Sequence, residues 1–192
     1  HFMRNLSKSK IISYRQCPKR LWLEIHKPEL KDDSASEAVF AIGNQVGDKA
    51  QEVYNTDGTG VLIDINEIGW PEAFAQSEQL LCEGKSIIFE AVMRTKGALA
   101  LADVMIPVPD DTGDKGLQWD MIEVKSSAGV KDYHRDDIAV QSFIATASGV
   151  SLSSVSLAHI DTSFVYQGDG NYSGLFHRAD LTEEAMSRHD EV

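Results

Sequence analysis

Two stretches of this sequence put charge where an apolar side chain is expected. Successive strand residues point to opposite faces, so Leu99, Leu101, Asp103 and Met105 share one side of a strand. Asp103 falls in the middle of that apolar row. In the next such stretch the shared face carries Leu117, Trp119, Met121, Glu123 and Lys125, and ends in a carboxylate and an ammonium two residues apart. Burying such charges unpaired costs on the order of several kcal/mol, so something must compensate them. One answer is an internal ion pair of Lys125 with Asp103 or Glu123. The other is a cation. Two convergent carboxylates, joined by a backbone carbonyl such as that of Val124, make an all-oxygen site for a hard divalent ion and leave positions open for water and phosphate oxygens. Lys125 beside it would orient or deprotonate an attacking water and neutralise charge on a phosphoryl group.

Other chemistries lack their residues. There is no His/Cys cluster for structural zinc, no glycine-rich phosphate loop closed by Lys-Ser/Thr, and no Gly-x-Ser-x-Gly elbow. The two cysteines, Cys17 and Cys82, are far apart, which excludes a disulfide framework and favours a reducing, cytoplasmic compartment. No run is long and apolar enough for a membrane helix. A chain of 192 residues, 42% hydrophobic and 25% charged, suits a single globular domain over 1–192. His1 and Phe2 precede the first methionine and read as appended residues. The net charge of −12 is polarised: up to Lys27 seven basic residues meet one acid, leaving +6 there and −18 on the rest. Such a basic segment is either a solvated helix face or a phosphate-contacting patch.

The elements that must position these residues follow from pattern. Ser7 is placed to cap a helix over Lys8–Gln16, and Pro18 suits the first turn of a second one carrying Leu21, Trp22 and Ile25. HKPELKDDS is a polar loop. Val39, Phe40, Ile42, Val46, Ala50 and Val53 recur at helical steps over about Ser36–Tyr54, with Gly43 and Gly47 on one face suggesting a close backbone approach. NTDGTG turns, VLIDI is a short strand, and Trp70–Cys82 a helix. Strands follow at about Ser86–Arg94, Leu99–Ile106 and Leu117–Ser126, then a helix over Asp132–Ser148 closed by Gly149. Val155–Ile160 and Phe164–Tyr166 read as final strands. Residues 170–192 read as an acidic tail that begins another helix and leads toward a region beyond this chain. Cys82, Trp22, Trp70 and Trp119 are expected in the core, and His134 in solvent. Helices covering both faces of one mixed sheet give an α/β fold.

Asp103 followed by Glu123-Val124-Lys125 resembles the PD-(D/E)XK nuclease superfamily. Ser7-Lys8-Ser9 through Tyr14, with Cys17-Pro18-Lys19-Arg20-Leu21-Trp22, looks like the N-terminal signature of RecB-type and CRISPR-associated exonucleases. Gly43-Asn44-Gln45-Val46-Gly47 falls where that group has a helix-borne Gly-x-x-Val-His, Glu90 where it has a carboxylate before the Asp strand, and Gln141 at its glutamine motif. The ending, His159-Ile160-Asp161, Val165-Tyr166, Leu175-Phe176 and Asp180-Leu181-Thr182-Glu183, looks most like a bacterial subfamily of that group.

The resemblance implies a restriction-endonuclease-like core, with a central mixed β-sheet flanked by helices. It implies Mg²⁺ or Mn²⁺ held by Asp103, Glu123 and the Val124 carbonyl, with Glu90 a further ligand or base, Lys125 the catalytic lysine, and Gln141 positioning Lys125 or a phosphate. Tyr14, Arg15, Lys19 and Arg20 would contact DNA, as single strands or ends. Three departures accompany it. Gly47 stands in place of a metal-ligating His, and Ala145 where the glutamine motif usually ends in Tyr. Cys17 matches the first ligand of iron–sulfur relatives, but this chain has no C-terminal cysteine cluster, so either Cys17 is an iron–sulfur ligand only in a longer chain or the cluster is not used, and none is expected within these residues. The expectation is a metal-dependent nuclease; the alternatives are a catalytically silent nuclease-fold module that binds nucleic acid or protein, and a domain with a structural ion pair alone.

Overall fold

The computed structural model describes residues 5–32, 36–110 and 113–192. In chain order the elements are β1 (Leu6–Ser7), α1 (Lys8–Gln16), α2 (Pro18–His26), α3 (Ser36–Tyr54), β2 (Val61–Leu62), α4 (Ile65–Glu83), β3 (Ile88–Thr95) and β4 (Ala98–Val108). Then come β5 (Gln118–Lys125), α5 (Asp132–Ala147), β6 (Leu152–Ile160), β7 (Phe176–Asp180) and α6 (Thr182–Ser187). Seven strands form one mixed sheet in the order β2-β3-β4-β5-β6-β7, with β1 beside β4. The chain is thus α/β, with a central mixed sheet flanked by helices. β3, β4 and β5 are an antiparallel meander, while β6 lies parallel to β5. A parallel neighbour needs a crossover, and α5 supplies it.

Alternation divides the core. Met121 and Leu157 face α5, packing with Ile138 and Ile144. Their chain neighbours Ile122 and Ala158 face the other way, with Phe89, Val104 and Tyr54 at the end of α3. Both sheet faces are therefore apolar and covered, as a sheet with parallel crossovers requires.

The feature that matters most is a fork. β3 accompanies β4 from Ala98 to Met105. β5 pairs with β4 only between Val104↔Ile122 and Val108↔Gln118, then leaves it and runs on beside β6 as far as Lys125↔His159. The edge of β4 so vacated is taken at Ala98 and Leu99 by β1. Lys8, the residue after β1, therefore enters at the crotch of the fork.

Several expectations are corrected. Ser7 does precede α1 but makes no side-chain cap; its hydroxyl meets that of Ser9 at 3.0 Å. VLIDI yields only two strand residues, because the Asp64 carboxylate accepts from the Asn66 N–H at 2.9 Å and starts α4 early. Gly69 (φ 78°, ψ 165°) then breaks that helix just ahead of Trp70, where the expected helix begins. Phe164–Tyr166 is not a strand: Asp161 turns the chain by accepting from the Ser163 N–H at 2.8 Å, and the last strand forms at Phe176–Asp180 instead. The expected acidic tail is thus partly sheet, followed by α6. Gly43 and Gly47 meet no close neighbour, since a Cβ at either would find nothing within 4 Å. Trp119 is core, but Trp22 and Trp70 are exposed, as is Cys82. His134 is buried, its Nδ1 accepting from the Lys131 N–H at 3.1 Å. Among the described residues, no helix is long and apolar enough to cross a membrane.

One edge contact carries a stability prediction. β2 pairs only with Ile88 and Phe89, so β3 runs on past its partner. There the Val92 N–H donates to the fully buried Ser77 hydroxyl of α4 at 2.9 Å. Ser77→Ala strands that N–H and is expected to cost about 1–3 kcal/mol in urea unfolding, with an unchanged m-value.

Candidate functional site

The site is built where β4 and β5 part. Beyond Val104↔Ile122 the main-chain ladder stops, and the Asp103 side chain replaces the next rung: its Oδ2 accepts from the Val124 N–H at 2.7 Å. On the other side of β4, Glu90 interrupts the pairing between Phe89↔Val104 and Ala91↔Ala102, with φ at 59°. A left-handed backbone costs a residue with a side chain roughly 1–3 kcal/mol and persists only where surrounding structure holds it. The strand registers thus align Glu90, Asp103 and Glu123 in one row across three strands.

Glu123 is buried, 4% exposed, on the α5 face. Its Oε1 accepts from two ammoniums, Lys125 Nζ at 2.8 Å and Lys8 Nζ at 2.9 Å. Asp137 of α5 closes the ring, with Oδ2 2.7 Å from Lys125 and Oδ1 3.1 Å from Lys8. Gln141, one helical turn further on, accepts from Lys8 through Oε1 at 2.5 Å. Among the described residues three buried side-chain atoms have no hydrogen-bond partner, and two of them belong to this site, Glu123 Oε2 and Gln141 Nε2; the third is Arg15 Nε.

Charge divides the carboxyls into two kinds. Burial alone would raise Glu123, but Lys125 and Lys8 outweigh it and hold the carboxyl well below the ordinary range. Burial, then the negative charge of Glu123, pushes Asp103 well up. The same two causes push Glu90 up to about 7. Burial would also lower both lysines, yet the carboxylates overcome it and keep Lys8 and Lys125 firmly protonated. Lys125 is thus held in its charged form by Glu123 and Asp137, placing a positive charge on the cleft.

Glu90, Asp103, Val124 and Lys125 open onto a cleft of about 410 Å³, walled on its far side by α3 at Gly43 and Gly47. The fork thus brings together Asp103, Glu123, Val124, Lys125 and Glu90. Gln141 also arrives, but it touches Lys8 and not Lys125. Lys8 and Asp137 were not expected in the site. Asp137 and Gln141 lie four apart on one helix face, the one signal that could have joined them. Gly47 offers no ligand, and among the described residues no three His, Cys, Asp or Glu side chains form a metal-binding group.

The basic segment is largely consumed within the protein. Lys8 is in the site. Arg15 Nη1 donates to the Glu191 carbonyl at 2.9 Å, and Arg20 Nε to Glu24 at 2.8 Å. Tyr14 and Lys19 are exposed, and Lys19 makes no ion pair among the described residues. Cys17 is also exposed, and no other cysteine than Cys82 is present. A separate cavity of about 440 Å³ lies between α4 and the start of β5, lined by Phe74, Cys82, Arg94 and Trp119 among others; none of the expected site residues reaches it.

The sequence matches no family model, and no curated protein matches it. Among solved structures, the crystal structure of SSO0001 is similar at a TM-score of 0.30 and 14% identity, over 95% of this chain and 83% of that one. A likeness of that size assigns no chemistry, so function is read from the site itself.

Glu90 gives the site a pH signature. Its ordinary value is 4.5 and its folded value about 7, so between these limits the folded protein keeps a proton that the unfolded chain has lost. Stability contributed by this group is therefore full below about pH 4.5 and falls as pH rises through 7. Glu90→Gln removes that loss. Relative to the variant, the wild type is expected to lose on the order of 2–3 kcal/mol between pH 4.5 and 8 in urea melts. Parallel pH profiles for the two proteins would show that Glu90 is not perturbed.

Proposed function

We propose that this chain is a metal-dependent nuclease domain of PD-(D/E)XK type that hydrolyses phosphodiester bonds in DNA, taking single strands or ends. One observation carries the reading. Glu123 is a buried, ionised carboxylate with one oxygen gripped by two ammoniums and the other left without a partner among the described residues, in strand register with Asp103 and Glu90. An orphaned buried oxygen beside carboxyls pushed up by burial and mutual charge fits a ligand set for a divalent cation. Mg²⁺ is commonly held by one or two protein carboxylates plus water and phosphate oxygens, so Asp103 and Glu123 suffice as protein ligands, with Val124 and Glu90 at hand. A Mg²⁺ or Mn²⁺ ion there would supply a Lewis acid and a water of lowered pKa.

The chain's own residues do the rest. An ammonium has three donors, and Lys125 spends two, on Glu123 and Asp137. Lying on the cleft, its third is available to a phosphate oxygen, where a fixed positive charge offsets the charge that develops during displacement. The open helix face at Gly43 and Gly47 leaves width for a strand. Lys19 and Tyr14, with Arg15 and Arg20 released from weak surface pairs, supply contacts to the backbone.

A second reading has its own support. The two lysines already neutralise Glu123 and Asp137, so the ring is complete without any cation, and Gly47 adds no ligand. This favours a silent nuclease-fold module. The two readings part on three proteins assayed with labelled single-stranded DNA and Mn²⁺. Under the nuclease reading, Asp103→Asn abolishes metal-dependent cleavage. Lys125→Ala slows it about 10²–10³-fold, the scale of one lost charge-stabilising donor, while keeping metal affinity within a few-fold. Absence of cleavage by the wild type, with Lys125→Ala destabilised by about 3–5 kcal/mol through stranded buried charge, would establish the silent module instead.

A further inference from the structure

Lys8 lies far from every residue of the E-x-K strand in sequence, in a segment whose positive charge suggests nucleic acid. In the fold it does something else. β1 takes the vacated edge of β4, and α1 starts at Lys8 and packs against α5. The side chain is thereby led into the fork. Its ammonium meets three acceptors: Glu123 Oε1 at 2.9 Å, Asp137 Oδ1 at 3.1 Å and Gln141 Oε1 at 2.5 Å. Two of these are hydrogen bonds, to Glu123 and Gln141, and the third is an ion pair with Asp137. Unlike Lys125, Lys8 does not line the cleft, and its ammonium is turned to these three internal partners.

What it governs is the orientation of Glu123. The terminal torsion of a glutamate is soft, so a carboxylate held by one partner can swing. Here Lys8 and Lys125 grip the same oxygen, Oε1, and α5 holds Lys8 in turn through Asp137 and Gln141. Oε2 is left fixed in place, buried and without a partner.

We infer that Lys8 is a positioning residue: by clamping Glu123 Oε1 against α5 it presents Glu123 Oε2 as the oxygen that ligates a divalent cation, so the N-terminal segment is part of the metal site. The inference rests on the metal-site reading above. It also predicts a sign opposite to simple electrostatics. Removing a positive charge from the neighbourhood of a cation should tighten its binding; releasing a clamped ligand should weaken it. Outer partners that orient a metal ligand typically contribute about 10–100-fold in affinity.

The test is Mn²⁺ titration of the full chain at pH 7.5, read from the electron paramagnetic resonance signal of free and bound Mn²⁺, beside circular dichroism and thermal melts. Lys8→Met, which keeps the length and loses the charge, is expected to weaken Mn²⁺ binding about 10–100-fold while remaining folded, with a changed bound-Mn²⁺ spectrum. Asp103→Asn is expected to bind none. Unchanged or tighter binding by Lys8→Met, with the wild type binding and Asp103→Asn not, overturns the positioning role and leaves the metal site standing. No binding by the wild type overturns both. If Lys8→Met does not fold, Gln141→Met decides: it keeps both carboxylate pairs of Lys8 and removes only the third anchor, so weakened Mn²⁺ binding supports the clamp and unchanged binding overturns it.

Discussion

One oxygen atom holds this site together. Glu123 Oε1 accepts from Lys8 and Lys125 at once, and Asp137 joins the same two ammoniums from the other side. Opposite charges alternate around the ring, which is how buried carboxylates and ammoniums can coexist; removing one member leaves an uncompensated charge in a low-dielectric setting. The ring draws its members from α1, β5 and α5. Each of those elements has to be in place before the charges balance, so the ring ties the N-terminal helix, the middle of the sheet and the crossover helix into one unit.

The fork between β4 and β5 makes room for the ring and creates the asymmetry beside it. Because the ladder stops at Val104↔Ile122, the Val124 N–H is satisfied by the Asp103 carboxylate and not by a carbonyl. That bond anchors Asp103 within reach of the charge of Glu123. The lysines favour ionised Glu123, whose charge then disfavours ionisation of Asp103 and Glu90. Neighbouring carboxyls with such divergent proton affinities are typical of sites that bind cations or move protons. The left-handed backbone of Glu90 belongs to the same picture, a local strain kept in the row that faces the cleft.

Part of the positive charge of the N-terminal segment is spent internally. Positive charge from the first 27 residues goes into the ring through Lys8, onto the C-terminal segment through Arg15 and onto a neighbouring turn through Arg20. An excess of basic residues in one segment measures what is available to a partner only after these pairings are subtracted.

Period and punctuation were enough to read most of the scaffold. α1, α3, α5 and the meander of β3, β4 and β5 follow from local rules: apolar residues at helical or alternating steps, Pro18 opening a helix, glycine-rich turns between strands. The same alternation exposed Asp103, Glu123 and Lys125 as charges on apolar faces, since that is a property of each strand alone. What local rules could not reach depends on partners distant in the chain. Two-residue β1 has no periodicity to detect and exists only because β5 abandons an edge of β4. Phe176–Asp180 becomes the last strand, and Phe164–Tyr166 does not, because the turn at Asp161 spends those residues before β6 can be paired. Lys8 reads as one more surface lysine, and Asp137 as a helix-surface acid, until the fork and the crossover bring them to Glu123. Sequence determined which residues carry the charge; tertiary structure decided which charges meet, because an ion pair needs a few ångströms of proximity that only the fork and the packing of α1 against α5 supply.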